Sequence, residues 1–293
     1  MNSFSKTDSD PENSVLDRII EEIRMELPAM KAAHSEASLT DQAKWHPPVR
    51  DFANNLLKQG VSLVAEIKKG SPGKGPFARD LDHVRTARLF CRAGAAAISV
   101  LTSHYFFSSN QVLSEIAETL YENEHEGSLI CPPLLRKEFH IDPYQVIEAR
   151  ALGADAYLLI AKVLNNSQLT ELITVGDAFG MTAFIEVTDE REIEMVLGLV
   201  SDRSIVIGIN NRDLHTFRED LSTTERLRPL IPHGIPVVAA SGVRNFRSMQ
   251  RMASANVDAV LVGEALATVE DPGAKITELF TGLPAIDGDS HYA

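Results

Sequence analysis

A carboxylate and an amine close a run that otherwise reads as buried strand. In SLVAEIK (62–68) the apolar Leu63, Val64 and Ala65 give way to Glu66 and Lys68. Side chains two apart in an extended strand share a face, so both polar ends point the same way. Such a pair can hold and move protons or meet an anion. Taken alone it is equally a structural ion pair in the core, although burying two charges is unfavourable unless a network or a reaction uses them. The same grammar recurs down the chain. LLRK ends at Lys137, TAFIEV carries Glu186, and GINNRD sets Asn210 and Arg212 two apart. VVAAS leads into Ser241 and Gly242, and DAVLVG ends at Gly263. Two lysines, two carboxylates, an amide and an arginine make a set able to give protons to and take protons from a bound substrate.

These residues need elements that bring them to one place. Eight short β-rich runs recur: 62–68, 95–102, 129–137, 155–162, 182–187, 204–210, 235–241 and 258–263. Most are nearly continuous apolar runs, as parallel strands covered on both faces are. Amphipathic helical stretches separate them, at 78–94, 110–124, 142–153 and 166–180 and in four later segments. Asp142 and Asn166 are placed to cap two of these helices, and Gly153 and Gly180 to stop them. Eight βα units in order predict an α/β fold, a single (β/α)8 TIM barrel, in which chemistry sits at the C-terminal ends of the strands. An open doubly wound sheet is the competing architecture, but no G-x-G-x-x-G turn follows the first strand. The expected organisation is a disordered lead-in over 1–13 and an N-terminal helical extension over 14–60. The barrel catalytic domain then runs over 61–282, and a flexible tail over 283–293. Within the extension, 14–34 reads as an amphipathic helix and 45–57 as a lead-in; whether it covers the barrel mouth or the floor is open.

Several chemistries fit poorly. SPGKG (71–75) lacks the spacing of a phosphate-binding P-loop. A barrel usually binds phosphate at the loops after strands seven and eight, where Gly242 and Gly263 let backbone amides approach an anion; Ser71 and Arg212 can add donors. His104, His140, His215 and His233 are scattered and form no metal-ligand motif. Cys91 and Cys131 fall in no paired pattern and read as reduced core thiols. The net charge of −13 over 293 residues argues against a nucleic-acid partner. No apolar run is long enough to span a membrane, and the polar N-terminus lacks the features of a signal peptide, so a cytoplasmic location is expected.

The ordered pieces AEIKKGSP (65–72), AISVLT (97–102), LLRKEF (134–139), LGADAYLLI (152–160), IEV (185–187), GINNRDL (208–214), ASG (240–242) and LVGEAL (261–266) resemble the indole-3-glycerol phosphate synthase family of tryptophan biosynthesis. The resemblance runs from about residue 15 to about residue 280 and includes the N-terminal helical extension. It implies a cofactor-free lyase that closes the ring of 1-(2-carboxyphenylamino)-1-deoxyribulose 5-phosphate with loss of carbon dioxide and water. It implies Glu66, Lys68, Lys137, Glu186, Asn210 and Ser241 as catalytic residues, with Lys137 as acid on the ketone oxygen and Glu186 as a base. Ser71, Phe107, Arg212, Gly242 and Gly263 fall on substrate and phosphate contacts, Phe107 at the aryl pocket. A small sugar phosphate is then the partner, and contact with other tryptophan-pathway enzymes is not derivable. The chain also departs from the family pattern. Ala240 stands where a Glu is usual, Ser103 where an acid is, and Ser109 where a small Gly is. Without the carboxylate at 240 a specialised-pathway relative and a weakly active or non-catalytic binder of an aryl-amino sugar phosphate stay open as alternatives; a sugar-phosphate isomerase on the same barrel is a third, against which the paired lysines and Glu186 argue.

Overall fold

The computed structural model describes residues 14–58, 60–199, 203–213 and 218–283; the expected lead-in and almost all of the expected tail lie outside them, as does His215. Eight parallel strands close into one barrel: β1 Ser62–Ile67, β2 Ala97–Leu101, β3 Leu134–Lys137, β4 Ala156–Ile160, β5 Thr182–Val187, β6 Ile205–Asn210, β7 Val237–Ala240 and β8 Ala259–Val262. Closure is made by β1, which pairs with β8 (Ala65 opposite Val262) on one side and β2 (Glu66 opposite Ser99) on the other. The strands start and stop where their chemistry allows. Two prolines at 132 and 133 cannot donate to a ladder, so the run expected from 129 pairs only from Leu134.

The period of two divides each strand between two apolar layers. Val64, Leu135, Phe184, Val206, Val238 and Leu261 fill the barrel interior. Leu63, Ala65, Ile67, Leu134 and Ile185 pack outward against the helices. Going up each strand by two from the interior layer leads from Val64 to Glu66, from Leu135 to Lys137, from Phe184 to Glu186 and from Val238 to Ala240. Arg136 faces the other way. It is fully buried between barrel and helices, where its guanidinium meets Glu148 at 2.6 Å and donates to the carbonyl of Gln145. Gly208 on β6 has no side chain because a Cβ there would collide with the Phe184 ring.

The N-terminal extension serves both ends of the barrel. Helix α1, Val15–Ala33, is capped by Ser14 and buries Leu16, Ile19, Ile20, Ile23 and Leu27, one stripe at helical spacing. Part of that stripe lies on Tyr105, Tyr144, Ile147 and Ala151. Helix α2, Glu36–Trp45, which its weak apolar pattern did not predict, buries only Leu39 and Ala43. Helix α3, Phe52–Leu56, plugs the floor. Phe52 packs edge-on against Phe184 at 6.2 Å, and Asn55 donates to the carbonyl of Ala96, just before β2. Asp142 caps its helix as expected. The helix Asn166–Ala178 is capped by Asn165, not Asn166: a capping box needs its partners three apart, and Asn165 and Gln168 exchange bonds of 3.0 and 3.1 Å.

One close contact fixes a helix against the barrel. Tyr157 on β4 is fully buried, donates to the carbonyl of Leu172, and lies where a Cβ on Gly176 would stand. Alanine improves helix propensity by about 1 kcal/mol, but forcing a buried ring aside costs about 1–3 kcal/mol. Gly176→Ala is therefore expected to lower the thermal midpoint, and a raised midpoint in a melting experiment would contradict the packing.

Candidate active site

A cavity opens at the C-terminal ends of the strands, and the polar residues that follow the interior layer line it. On one wall Lys137 Nζ lies 2.9 Å from Glu186 Oε1, bridging β3 and β5 across the intervening β4. The second oxygen of Glu186 accepts from Asn210 Nδ2 at 3.3 Å, and Asn210 Oδ1 accepts from the backbone amide of Arg212 at 3.0 Å. Lysine, carboxylate and amide thus form one chain in which both carboxylate oxygens are engaged. On β1, Lys68 Nζ stands 3.4 Å from Glu66 Oε1 and 5.3 Å from the centre of the Phe106 ring. This is a second ammonium held by one charge and one aromatic face.

Glycine decides how close Glu66 can come. A Cβ at Gly263 would lie 2.6 Å from Glu66 Oε1, so the carboxylate occupies the space that glycine leaves. The backbone leaves β7 through two left-handed residues, Ser241 at φ 67° and Gly242 at φ 83°. Serine is seldom found there; Asn211 holds it by donating to the carbonyls of both Ala240 and Ser241 at 3.1 Å. Ser71 lies in the loop after β1, in a two-residue ladder of Gly70–Ser71 with Gly75–Pro76. Its hydroxyl is buried, lines the cavity and has no hydrogen-bond partner. A buried hydroxyl left open in this way points to a ligand acceptor.

Burial opposes the charge on Lys137, but Glu186 and then Glu66 outweigh it and hold its pKa above the usual lysine value. Lys137 therefore enters any reaction as a full ammonium. His140 is the reverse case. Burial first, and then the nearby Arg136, push it down to about 3, so it is a neutral ring on the carbonyl of Leu158. Among the described residues no group of histidines, cysteines or carboxylates is placed to hold a metal ion.

Of the residues expected from sequence, Glu66, Lys68, Ser71, Lys137, Glu186, Asn210, Arg212, Ser241, Gly242 and Gly263 all line this one cavity. Phe107 does not. It follows the short helical turn His104–Phe106 in a left-handed conformation at φ 61°, half-exposed, with its ring against Gly70. The aromatic rings on the wall are Phe106 and Phe139, stacked at 6.2 Å. Sequence reasoning also missed Leu16 and Ile19 of α1, Glu219 and Arg244. Phe139 had a signal, since it lies two residues past Lys137. Glu219 had none, because it stands in a loop well beyond β6.

The family model described as indole-3-glycerol phosphate synthase matches residues 16–279. The chain belongs to that family. The indole-3-glycerol phosphate synthase of Dehalococcoides mccartyi strain CBDB1 is 46% identical over 235 residues, covering 80% of this chain and 86% of that one. The indole-3-glycerol phosphate synthase of Roseiflexus sp. strain RS-1 is 39% identical over 273 residues, covering 92% and 99%. Among solved structures, 3-hexulose-6-phosphate synthase from Salmonella typhimurium superposes with a TM-score of 0.55 at 11% identity, over 75% of this chain and 96% of that one. That likeness shows the barrel fold alone.

The two carboxylates act together on Lys137, and this can be measured without a substrate. In Glu66→Gln the burial that opposes the ammonium remains while one attraction is lost, so Lys137 should titrate at lower pH than in the parent. Lysine side-chain NMR across an alkaline titration reads this directly; an unmoved Lys137 signal would mean the two strands are not coupled.

Proposed function

We propose that this member of the indole-3-glycerol phosphate synthase family closes the ring of 1-(2-carboxyphenylamino)-1-deoxyribulose 5-phosphate, releasing carbon dioxide and water and leaving indole-3-glycerol phosphate. The observation that carries the reading is the pair of lysine–glutamate couples set into one cavity at the strand ends. The reaction asks for an acid twice and a base once. The ring carbon that bears the carboxylate attacks the ketone carbon, and the ketone oxygen takes a proton from Lys137. Loss of carbon dioxide returns the electron pair and restores the aromatic ring. The new hydroxyl then leaves as water with a proton from a lysine, and the neighbouring carbon gives up its proton to Glu186.

The environment of each group suits these roles. Lys137 is held as an ammonium by Glu186 and Glu66, so it carries its proton when the substrate binds, and the developing oxyanion on the ketone must draw that proton away from the two carboxylates. Asn210, fixed on Glu186, positions the substrate and keeps the carboxylate facing inward. Lys68, oriented by Glu66 and the Phe106 ring, meets the substrate carboxylate or serves the dehydration. Leu16, Ile19, Phe106, Phe139, Leu158 and Ile160 give the aryl ring an apolar wall. The open hydroxyl of Ser71 and the loops at Ser241–Gly242 and Gly263 take the phosphate end, the usual place for phosphate in this fold. A cytoplasmic setting belongs to the same proposal. Among the described residues no helix is long and apolar enough to cross a membrane, and the net charge of −13 offers no broad basic surface for nucleic acid.

Incubation with the aryl-amino deoxyribulose phosphate should produce indole fluorescence with equimolar carbon dioxide. Binding without either product would sink the proposal in favour of a binding protein, and isomerised sugar phosphate without carbon dioxide would indicate an isomerase. Lys137→Ala should lower turnover by roughly 100-fold or more, the usual worth of a positioned acid, while substrate affinity changes far less. Turnover within a few-fold of the parent would remove Lys137 from the mechanism.

A further inference from the structure

Glu219 is a carboxylate on the cavity wall that the strand pattern does not explain. Its oxygens are divided between two guanidiniums: Oε1 accepts from Arg212 Nη2 at 2.5 Å and Oε2 from Arg244 Nη2. All three residues line the cavity. They come from different segments, since Arg212 lies two residues past β6, Glu219 returns antiparallel beside it, and Arg244 belongs to the loop after β7. The next link reaches the loop after β8. Arg244 Nη1 lies 3.5 Å from Glu264, which also holds Lys74 at 2.5 Å.

The backbone under Glu219 is fixed as firmly as its carboxylate. Asn211 is buried between its two neighbouring segments. Its carbonyl accepts from the amide of Asp220 at 2.8 Å, and its own amide and side chain donate to Ala240 and Ser241. Its side-chain oxygen accepts from Thr224. One asparagine therefore ties the residue after Glu219 to the end of β7. The Cβ of Glu219 lies 3.7 Å from where a Cβ on Gly242 would be.

We propose that Glu219 is a positioning residue for the anionic end of the substrate, holding Arg212 and Arg244 side by side as a two-guanidinium seat at the loops after β6 and β7. Arg244 becomes a substrate-contacting residue in this arrangement. An arginine carries five donors, so each guanidinium keeps donors to turn toward the cavity after giving one to Glu219. A free arginine would lose its side-chain freedom when an anion binds; one already braced by a carboxylate has lost it beforehand. The opposing effect is that Glu219 neutralises part of the charge it orders. Arg212, Arg244 and Lys74 outnumber Glu219 and Glu264 by one charge, and the two guanidiniums together hold Glu219 ionised, below the usual carboxylate range, despite its burial.

The inference rests on the proposed ring-closure reading for the identity of the substrate, but not for the seat itself, so inorganic phosphate is the first probe. Calorimetry with phosphate is run on the parent, Glu219→Gln and Arg244→Met, followed by steady-state kinetics with the aryl-amino deoxyribulose phosphate. Glutamine keeps the shape but turns a donor toward one guanidinium, so it cannot hold both. Each substitution is expected to weaken phosphate binding by about 3-fold or more, with the larger part of the kinetic effect in KM rather than kcat. Phosphate affinity changed by less than about 3-fold in both variants, or tightened in Glu219→Gln because the carboxylate competes with the ligand, overturns the inference. Arg244 is half-exposed, so its variant reports even if Glu219→Gln fails to fold. A seat that depends on Glu219 in a parent that forms no indole would leave the seat standing and remove the ring-closure reading.

Discussion

The Lys137–Glu186 ion pair is the interaction around which the cavity is arranged. Two charges at this depth are unfavourable unless each oxygen and each proton has a partner. The structure meets that demand for both carboxylate oxygens across three strands. β3 supplies the ammonium, β5 the carboxylate, and β6 the amide that takes the second carboxylate oxygen. Once Glu186 is engaged on both sides it cannot turn away from the cavity, and once Lys137 faces both Glu186 and Glu66 it cannot lose its proton easily. The apolar layer below the pair, with Leu135 and Phe184 each two residues back along the strand, is what keeps water from relaxing it. The α3 plug, with Phe52 against Phe184, closes that layer from the floor.

The legible part of this site was the part written in strand periodicity. Glu66, Lys137 and Glu186 are each one step beyond an apolar inward residue on the same face, and Asn210 follows Val206 on that face past Gly208, so the alternation alone aims them. What was hidden lies where the period breaks. Phe106 and Phe107 are neighbours in sequence, and a turn of tight helix followed by a left-handed residue selects the first for the wall. Glu219 returns to the cavity only through an antiparallel bridge to Arg212, which no periodic pattern announces. Helix α2 buries too few apolar side chains to leave a stripe, although it packs against the helix Pro143–Ala151. The shift of a helix cap from Asn166 to Asn165 has the same origin, since two adjacent asparagines offer the same chemistry and only the position of Gln168 separates them.

Glycine carries information of two kinds here. Gly242 adopts a left-handed conformation that turns the chain out of β7. Gly263 has no such dihedral requirement, and its demand is steric: it clears the space that Glu66 fills. A glycine expected to serve an anion through its amide thus also sets the reach of a carboxylate from the neighbouring strand. Substitution at 263 acts on Glu66 first, and through Glu66 on both lysines, before any effect on a bound phosphate.

Ala240 is best understood through charge. A carboxylate carried at the end of β7 would lie on a rigid strand beside Asn210 and point inward, as Val238 does one step below. It would add an anion to a wall facing a substrate that, on the proposed reading, brings both a carboxylate and a phosphate. In this chain the inward position at 240 is alanine, and the negative charge on Glu219, one segment away, is taken up by two arginines. The lysines then have only Glu66 and Glu186 as direct partners, and the inward face at 240 is left apolar and small. On the proposed reading the braced arginines orient the anionic end, and direct compensation around the reacting atoms is left to Glu66 and Glu186.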